Sequence, residues 1–372
     1  MAIRYAKRLD ALPHYEGGMD IARARRAFEA TDVVKLASNE SPWGPHPAVI
    51  ERVAALVGEA NRYPDQYASE LRGRLAARFD RDPAGIAVSN GSCEILLAAA
   101  LALCEPGDEI VYAWPSFSIY PQLGPFSGAR EIRVGLGGPS GYDHDLDAMR
   151  AEITAATKLV IVCNPNNPTG SCLPSTDITA FLEQVPSYVT VILDEAYIEM
   201  QTLDDPDSTV DLLPRFPNLV LLRTFSKVYG LAGLRCGYAL GSARFRAAVD
   251  AVRQPFSVNL LAQAAASEAL RHGDDVADRV ERTIVARVEV ESALTELGFT
   301  VPESHTNFTW LPLRIGDREY DEAAIVEGLG RAGVIVRPGT PLGGPGHIRV
   351  SFGTEAENLR FLAALGDLVK PQ

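Results

Sequence analysis

Short apolar runs rich in β-branched residues alternate with longer helical stretches from residue 86 onward. Alternation of this kind is typical of crossover units, in which a helix links two parallel strands of one sheet. The clearest strand-like runs, each followed by polar or turn residues, are 109–114, 158–163, 189–194 and 219–224. The pattern predicts an α/β protein whose main domain has three layers, with a mainly parallel sheet covered by helices on both faces.

The segment 94–104 shows how one crossover is built. It is apolar on most faces, as expected of a buried helix, and Pro106 and Gly107 end it before the strand 109–114 begins. Ligands of such sheets bind beyond the carboxyl ends of the strands. The residues that follow each strand are therefore the first candidates for function.

The sequence changes character after about residue 250. A charge-rich helical stretch at 279–297 is followed by short strands and a final helix, which predicts a smaller α+β domain. We expect residues 1–40 to form an arm that contributes to this small domain. Residues 41–250 are expected to form the large domain, and 251–372 the small C-terminal domain.

Composition excludes several classes of function. Hydrophobic residues make up 47% of the chain and charged residues 22%, which is ordinary for a globular protein and excludes a fibrous or disordered chain. The formal net charge of −13 repels nucleic acid, so no nucleic-acid partner is expected. The chain lacks an apolar run of 18 residues and an N-terminal secretory segment, so we expect a soluble, cytoplasmic protein with no membrane partner.

Cysteine, histidine and glycine patterns argue against disulfide, metal and nucleotide sites. The five cysteines form no Cys-x-x-Cys pair, and their odd number fits a reducing compartment. The six histidines lie scattered without metal-ligand spacing, so no metal site is expected. Gly328, Gly330 and Gly333 spell a GxGxxG pattern, but a helix precedes it and a strand follows, the reverse of a dinucleotide site. These glycines are predicted to end a helix and form a turn.

Lys227 lies just beyond the predicted strand 219–224. Thr224 and Ser226 precede it, and Arg235 comes eight positions later. A lysine held among apolar neighbours loses its proton and attacks a carbonyl to form a Schiff base, while hydroxyls and arginine bind phosphate. On these residues alone, a surface lysine in an ordinary loop remains an alternative.

Polar residues also follow the neighbouring strands. Asp194 ends its strand, where a buried acid pairs with a protonated ring nitrogen. Asn167 lies just beyond the preceding strand and is able to donate a hydrogen bond into the crevice. Ser92 and the backbone amides at the start of helix 94–104 form a positive helix end that suits a phosphate. An ordinary turn and an ordinary helix cap are the alternatives for Asn167 and Ser92.

A lysine for imine formation, an aspartate for a ring nitrogen, phosphate ligands at a helix start and an aromatic ring at Phe117 suit one cofactor, pyridoxal phosphate. The chain resembles the fold type I pyridoxal phosphate aminotransferases of the histidinol-phosphate and aromatic aminotransferase group. The likeness covers nearly the whole chain. It rests on motifs in a fixed order, which are LASNESPWGP (36–45), RYPD (62–65), NGSCE (90–94), PSFSIY (115–120), CNPNNPTG (163–170), LDEAYIE (193–199), RTFSKVYGLAGLRCGY (223–238) and HIRVSFGT (347–354).

The resemblance implies a role for each matching residue. Lys227 would bind the cofactor as a Schiff base and then move the proton between the substrate and cofactor carbons. Asp194 would hold the pyridine N–H. Asn167 and Tyr197 would bond the phenolic oxygen, and Phe117 would stack on the ring. The other implied cofactor-binding residues, which surround the phosphate, are Ser92, Cys93, Thr224, Ser226 and Arg235.

Two further positions concern assembly and a departure from the family pattern. Tyr63 in RYPD resembles the tyrosine that reaches the cofactor phosphate of a neighbouring subunit, which implies a homodimer with shared active sites. Members of this group commonly carry an acidic residue where this chain has Cys93. At that position the backbone amide is expected to serve the phosphate instead of the side chain.

The expected substrate rests on Arg337 and Arg349, each on a predicted strand where a guanidinium can grip an anion. Ordinary surface arginines are the alternative. By resemblance, Arg349 takes the glutamate carboxylate or a substrate phosphate, Tyr15 closes over the substrate, and Asn39 lines the same side. Two cations suit a phosphate, so histidinol phosphate with 2-oxoglutarate or glutamate is expected first, in histidine biosynthesis. The alternatives are an aromatic aminotransferase that acts on phenylalanine or tyrosine, and a lyase similar to threonine-phosphate decarboxylases.

Overall fold

The computed structural model describes residues 3–13, 17–138 and 140–370. Within them the strands are β1 (Val34–Lys35), β2 (Ile86–Ser89), β3 (Glu109–Trp114), β4 (Arg130–Gly135), β5 (Thr157–Cys163), β6 (Thr190–Asp194), β7 (Leu219–Thr224), β8 (Gly237–Leu240), β9 (Phe308–Pro312), β10 (Arg314–Ile315), β11 (Arg318–Glu319), β12 (Val334–Ile335), β13 (Arg337–Pro338) and β14 (His347–Ser351).

The described α-helices connect and cover these strands. None of them has the length and apolar character needed to cross a membrane. In chain order they are α1 (Ile21–Phe28), α2 (Pro47–Leu56), α3 (Ser69–Phe79), α4 (Ser92–Leu103), α5 (Tyr120–Ser127), α6 (Leu146–Ala151), α7 (Ser175–Leu182), α8 (Ala243–Val252), α9 (Leu260–Ala269), α10 (Gly273–Glu296), α11 (Glu322–Arg331) and α12 (Glu355–Val369).

The large sheet has the order β2-β8-β7-β6-β5-β3-β4 among the described strands. All its neighbouring pairs are parallel except those of β8, which runs antiparallel to both β2 and β7. The four strand-like runs of the sequence correspond to β3, β5, β6 and β7 within one residue at each end. The predicted mainly parallel α/β sheet is confirmed.

Side chains of the large sheet alternate between two apolar cores, one on each face. In β6, Val191 and Leu193 belong to one core and Ile192 to the other. Helix α4 packs in the second core with Ile95 and Leu96 fully buried, so it is the buried crossover that its sequence predicts. Burial of each such side chain contributes about 1.5 to 3 kcal/mol, which is why these apolar runs fix the layers.

A separate apolar core joins the C-terminal residues to part of the N-terminal segment. Val34 and Leu36 pack with residues of α10, α11, α12, β9, β12 and β14, and β1 pairs in parallel with β12. In contrast, α9 packs in the core of the large sheet through Ala262 and Ala265, although its residues were assigned to the small domain. The domain boundaries at 40 and 250 remain a prediction.

The GxGxxG pattern lies where a helix ends, as the sequence predicts. Gly328 and Gly330 are inside α11, and Gly333 has a φ of +76° in the turn that leads to β12. A nucleotide-binding turn of the kind that follows a strand is therefore not formed here.

A buried ion pair ties together the ends of β6 and β7. Arg223, 1% exposed, donates to Glu195 at 2.7 Å and to Asp207 at 2.5 Å, and the Thr209 hydroxyl also donates to Glu195. Loss of one partner of such a pair costs about 3 to 5 kcal/mol, because a charge is left buried and unpaired. The network therefore stabilises the end of β6, where Asp194 lies.

Candidate active site

The carboxyl ends of β2, β3, β5, β6 and β7 lie at one edge of the large sheet because these strands run in the same direction. A cavity of about 390 Å³ opens at this edge. It is lined by residues from the strand ends, from the segment before α2, and from β13 and β14. The predicted site residues among them are Asn39, Ser92, Cys93, Phe117, Asn167, Asp194, Tyr197, Thr224, Ser226, Lys227, Arg235, Arg337 and Arg349.

One end of the cavity forms a cradle for an anion. Helix α4 begins there at Ser92, directly after Gly91. The Arg235 guanidinium lies against Gly91, in the space that the Cβ of any other residue would occupy. Gly91 has a φ of +76°, and a Cβ there would collide with the guanidinium of Arg235. Arg235 Nη1 donates to the Ser226 hydroxyl at 3.3 Å. A helix N-terminus, a hydroxyl and a guanidinium thus converge on one point, as phosphate binding requires.

Cys93 lies in the first turn of α4, where the family commonly has an acid. Burial raises the pKa of its thiol above the ordinary value, and the nearby Asp194 carboxylate acts in the same direction. The thiol is therefore uncharged at neutral pH and does not repel an anion in the cradle. This is consistent with an expected role for the backbone amide at this position.

Asp194 lies at the cavity wall with one carboxylate oxygen unsatisfied. It is 2% exposed, and its Oδ2 accepts a hydrogen bond from the Tyr120 hydroxyl at 2.8 Å. Its Oδ1 is buried and has no hydrogen-bond partner among the described residues. Burial raises the pKa of Asp194 to about 6, and the Tyr120 bond opposes this rise. A buried carboxylate oxygen of this kind fits a protonated ring nitrogen.

Lys227 lines the cavity from the loop after β7. Its Nζ donates to the backbone carbonyls of Ser38 at 3.4 Å and Asn39 at 3.2 Å, and lies 5.3 Å from the centre of the Tyr197 ring. Burial, together with the nearby charge of Arg349, lowers the pKa of Lys227 to about 8. A useful fraction of the amine is therefore neutral near neutral pH, as a nucleophile or base must be.

Asn167 and Tyr197 are held by residues that come from far away in the sequence. Asn167 Oδ1 accepts from Arg349 Nη1 at 2.5 Å, so its amide nitrogen is the group that can donate into the cavity. The Tyr197 hydroxyl accepts from Asn39 Nδ2 at 2.9 Å. Asn39 has a φ of +54° and is itself held by a hydrogen bond from its backbone N–H to the Ser351 hydroxyl.

Arg337 and Arg349 lie opposite each other on the antiparallel strands β13 and β14. They are 6% and 7% exposed, and both line the cavity. Arg349 Nη2 also donates to the Ala37 carbonyl at 3.0 Å. The sequence alternative of two surface arginines is wrong, because both side chains are buried at the site.

Two predicted site residues are not placed in the cavity. Tyr63 is 84% exposed on the surface, where its ring stacks on Phe256 with 4.7 Å between ring centres. Tyr15 lies outside the described residues. The proposed reach of Tyr63 to a neighbouring subunit stays a prediction.

The residues that hold the cavity-lining side chains in place through hydrogen bonds were not identified from the sequence. Tyr120, which bonds Asp194, stands in the PSFSIY motif but was given no role there. Ser351 and Asn307 hold Asn39 through its backbone, and Asn307 Nδ2 donates to the Asn39 carbonyl at 3.1 Å. The only signal in the sequence was a hydroxyl or amide side chain in or next to a motif. Such a signal does not show which residue the side chain contacts.

The residues present fit pyridoxal phosphate. The cradle at α4 suits its phosphate, the unsatisfied Asp194 oxygen its ring nitrogen, and the Lys227 amine its aldehyde. Phe117 lines the wall, and its ring meets that of Tyr120 edge to face at 5.8 Å. In contrast, the described residues contain no cluster of three His, Cys, Asp or Glu side chains that would hold a metal ion.

Comparison with known proteins agrees with this chemistry. A family model for aminotransferase class I and II matches residues 31–365. An aromatic amino acid aminotransferase of Thermobifida fusca is 44% identical over 95% of this chain and 94% of its own length. A histidinol-phosphate aminotransferase of Ralstonia nicotianae is 42% identical over the same shares.

A solved structure extends the comparison to the fold. Histidinol-phosphate aminotransferase from Sinorhizobium meliloti, in complex with pyridoxal-5'-phosphate, superposes with a TM-score of 0.88. It is 28% identical, and the match covers 99% of this chain and 98% of that one. All these relatives are named as aminotransferases, so they give no support to the lyase alternative.

Proposed function

The chain belongs to the family of class I and II aminotransferases, and on that premise we propose that it exchanges an amino group between histidinol phosphate and 2-oxoglutarate. It is an aminotransferase, and its cofactor is pyridoxal phosphate. The observation that carries the choice of substrate is the pair of buried arginines, Arg337 and Arg349, that line the cavity side by side on β13 and β14. A phosphate of nearly two negative charges is the anion that this pair suits best.

Each side chain of the cavity has a separate role in this proposal. Pyridoxal phosphate, once bound, supplies a ring that stabilises the negative charge left when the substrate Cα loses its proton. Lys227 Nζ would accept that proton and hold it for return. Asp194 Oδ1 would hold the ring nitrogen in its protonated form. The Asn167 amide and the Tyr197 hydroxyl would donate to the phenolic oxygen, and the cradle around Arg235 would hold the phosphate.

The direct test is a steady-state comparison of kcat/KM for histidinol phosphate, phenylalanine and tyrosine, each with 2-oxoglutarate. We expect the highest value for histidinol phosphate, because it alone offers a phosphate to both arginines. A higher kcat/KM for phenylalanine or tyrosine would move the assignment to an aromatic aminotransferase. The aromatic candidate is favoured by the Thermobifida fusca relative of that name, which is 44% identical, against 42% for the Ralstonia nicotianae histidinol-phosphate enzyme.

Arg337→Ala is expected to separate the two half-reactions. In the proposal both arginines grip the phosphate of histidinol phosphate, while Arg349 alone grips the glutamate carboxylate. Loss of one charge-assisted contact costs roughly 1.5 to 3 kcal/mol, or about tenfold or more in kcat/KM. This loss should fall on histidinol phosphate and spare glutamate.

The matched control is Arg331→Ala. Arg331 is exposed at the end of α11 and pairs with Glu327 on the surface. Its replacement should leave both half-reactions within about twofold of the wild type, since surface changes have small effects. If Arg337→Ala reduced kcat/KM equally for the two substrates, Arg337 would have a general structural role and not a phosphate-binding one.

We also propose that the enzyme is a homodimer in which Tyr63 reaches the cofactor phosphate of the neighbouring subunit. Its support is the exposed position of Tyr63, on a surface with other exposed apolar side chains such as Tyr67 and Phe256. A tyrosine side chain that is 84% exposed contributes little hydrophobic stabilisation to a single chain. A subunit interface would bury it.

Mixing Tyr63→Phe with Lys227→Ala subunits is expected to restore activity. If sites are shared, one site of the hybrid carries both changes and the other carries neither. At limiting cofactor, mixed subunits should therefore exceed the summed activity of the two variant homodimers. Tyr63→Phe alone should weaken cofactor binding about tenfold, the worth of a hydrogen bond to a charged group.

Tyr67→Phe is the control, since Tyr67 is also exposed and lies four residues away. It should leave cofactor affinity unchanged. No recovery of activity after demonstrated subunit exchange would argue that Tyr63 serves its own chain.

A further inference from the structure

Tyr120 is a buried tyrosine directly behind the wall of the cavity. It is the first residue of α5, is fully buried, and donates its hydroxyl to Asp194 Oδ2 at 2.8 Å. Its ring meets those of Phe117 and Tyr112 edge to face, with ring centres 5.8 Å and 5.6 Å away. These contacts restrict movement of the ring and so hold its hydroxyl near Asp194.

The hydrogen bond has two consequences for the Asp194 carboxylate. First, the hydrogen bond at Oδ2 restrains rotation of the carboxylate and therefore the direction in which Oδ1 points. That oxygen is buried, belongs to a residue that lines the cavity, and has no partner among the described residues. Second, a donor to the ionised form stabilises the negative charge, which burial alone disfavours.

We propose that Tyr120 is a positioning residue that aims the ionised carboxylate of Asp194 at the pyridine nitrogen of the cofactor. The proposal rests on the role proposed above for Asp194. Tyr120 touches neither substrate nor ring in this scheme. It acts through Asp194, and its effect should therefore depend on the presence of a ring nitrogen.

Tyr120→Phe tests this because it removes only the hydroxyl and keeps the ring that packs against Phe117. The readout is the dissociation constant of the full-length cofactor-free protein for pyridoxal phosphate and for 1-deazapyridoxal phosphate, which has carbon in place of the ring nitrogen. Binding of pyridoxal phosphate should weaken by about tenfold or more, as expected for loss of a hydrogen bond to a charged group. Binding of the deaza analogue should be unchanged.

Tyr112→Phe is the matched control. Tyr112 is equally buried and touches the Tyr120 ring, but its hydroxyl donates to Glu131 and not to Asp194. It should shift the two dissociation constants by the same small factor. A Tyr120→Phe variant that weakens both ligands equally would overturn the proposal, since that result describes a packing defect.

Asp194→Ala separates failure of this proposal from failure of the proposed function. If Asp194 serves the ring nitrogen, this variant loses affinity for pyridoxal phosphate and not for the deaza analogue. Adding Tyr120→Phe to Asp194→Ala should then cause no further loss, because the hydroxyl has no carboxylate to hold. A further loss as large as in the wild-type background would refute the positioning role. Equal affinity losses for both ligands in Asp194→Ala would instead refute the role of Asp194 itself.

Discussion

Lys227→Ala is expected to reduce kcat by at least about a hundredfold, beyond the usual cost of losing one acid or base group. The variant loses both the amine that bonds the cofactor and the group that moves the proton from the substrate Cα. Within the described residues that line the cavity there is no second lysine to replace it. Borohydride reduction gives a second measurement. In the wild type it should leave the cofactor mass on the peptide that contains Lys227, and in the variant on no peptide.

Lys158→Ala is the control for this experiment. Lys158 lies in β5, partly exposed, with its amine 3.8 Å from Asp108. Its replacement should leave kcat within about twofold. Should Lys227→Ala keep more than about a hundredth of the wild-type kcat, another group must carry the proton, and the assignment of Lys227 would be wrong.

The strand-end residues of the site were predictable because their signals are local. Apolar β-rich runs identified the strands, and parallel strands gather their carboxyl ends at one edge of a sheet. Asp194, Asn167 and Lys227 therefore had to lie close together once the strands were recognised, and the structure places all three in one cavity. No contact between distant segments had to be known for this part of the prediction.

Residues that reach the site across the fold were not predictable in this way. Tyr120 lies 74 positions before Asp194, in a helix whose sequence YPQLGPFS contains two prolines and a glycine. No local pattern shows that its hydroxyl meets a carboxylate. Ser351 is 312 positions from Asn39, and their hydrogen bond depends on how the C-terminal strands dock on the N-terminal segment.

The placement of α9 shows the same limit for domain organisation. The change of sequence character near residue 250 is real, but an amphipathic helix carries no signal for the core that it covers. Ala262 and Ala265 belong to the apolar core on one face of the large sheet, and only the packed structure reveals this. The sequence therefore predicted a smaller domain, but it could not show which core each helix covers.

Asp194→Asn is expected to reduce kcat by about a hundredfold or more without destabilising the cofactor-free protein. A neutral amide cannot hold the ring nitrogen protonated, and removal of one electrostatic partner from a buried site commonly costs this much. In contrast to kcat, the free energy of unfolding at neutral pH is expected to stay the same or to rise. The pKa of Asp194 is raised from 3.8 to about 6, so the stability gained from protonation is fully present below pH 3.8 and is lost as the pH rises through about 6. At pH 7.5 the buried charge opposes folding, and the amide removes this cost.

Glu195→Gln provides the contrast that separates catalysis from stability. Glu195 is fully buried next to Asp194 and pairs with Arg223, so its neutralisation removes one of the two carboxylates that balance the buried Arg223 charge. We expect Glu195→Gln to lower the Tm of the cofactor-free protein at pH 7.5, whereas Asp194→Asn leaves it unchanged or raises it. The kcat of Asp194→Asn should nevertheless be the lower of the two, because only Asp194 has an oxygen available to the cofactor ring. Near wild-type kcat for Asp194→Asn would show that this carboxylate belongs to the supporting network around Arg223 and not to the reaction.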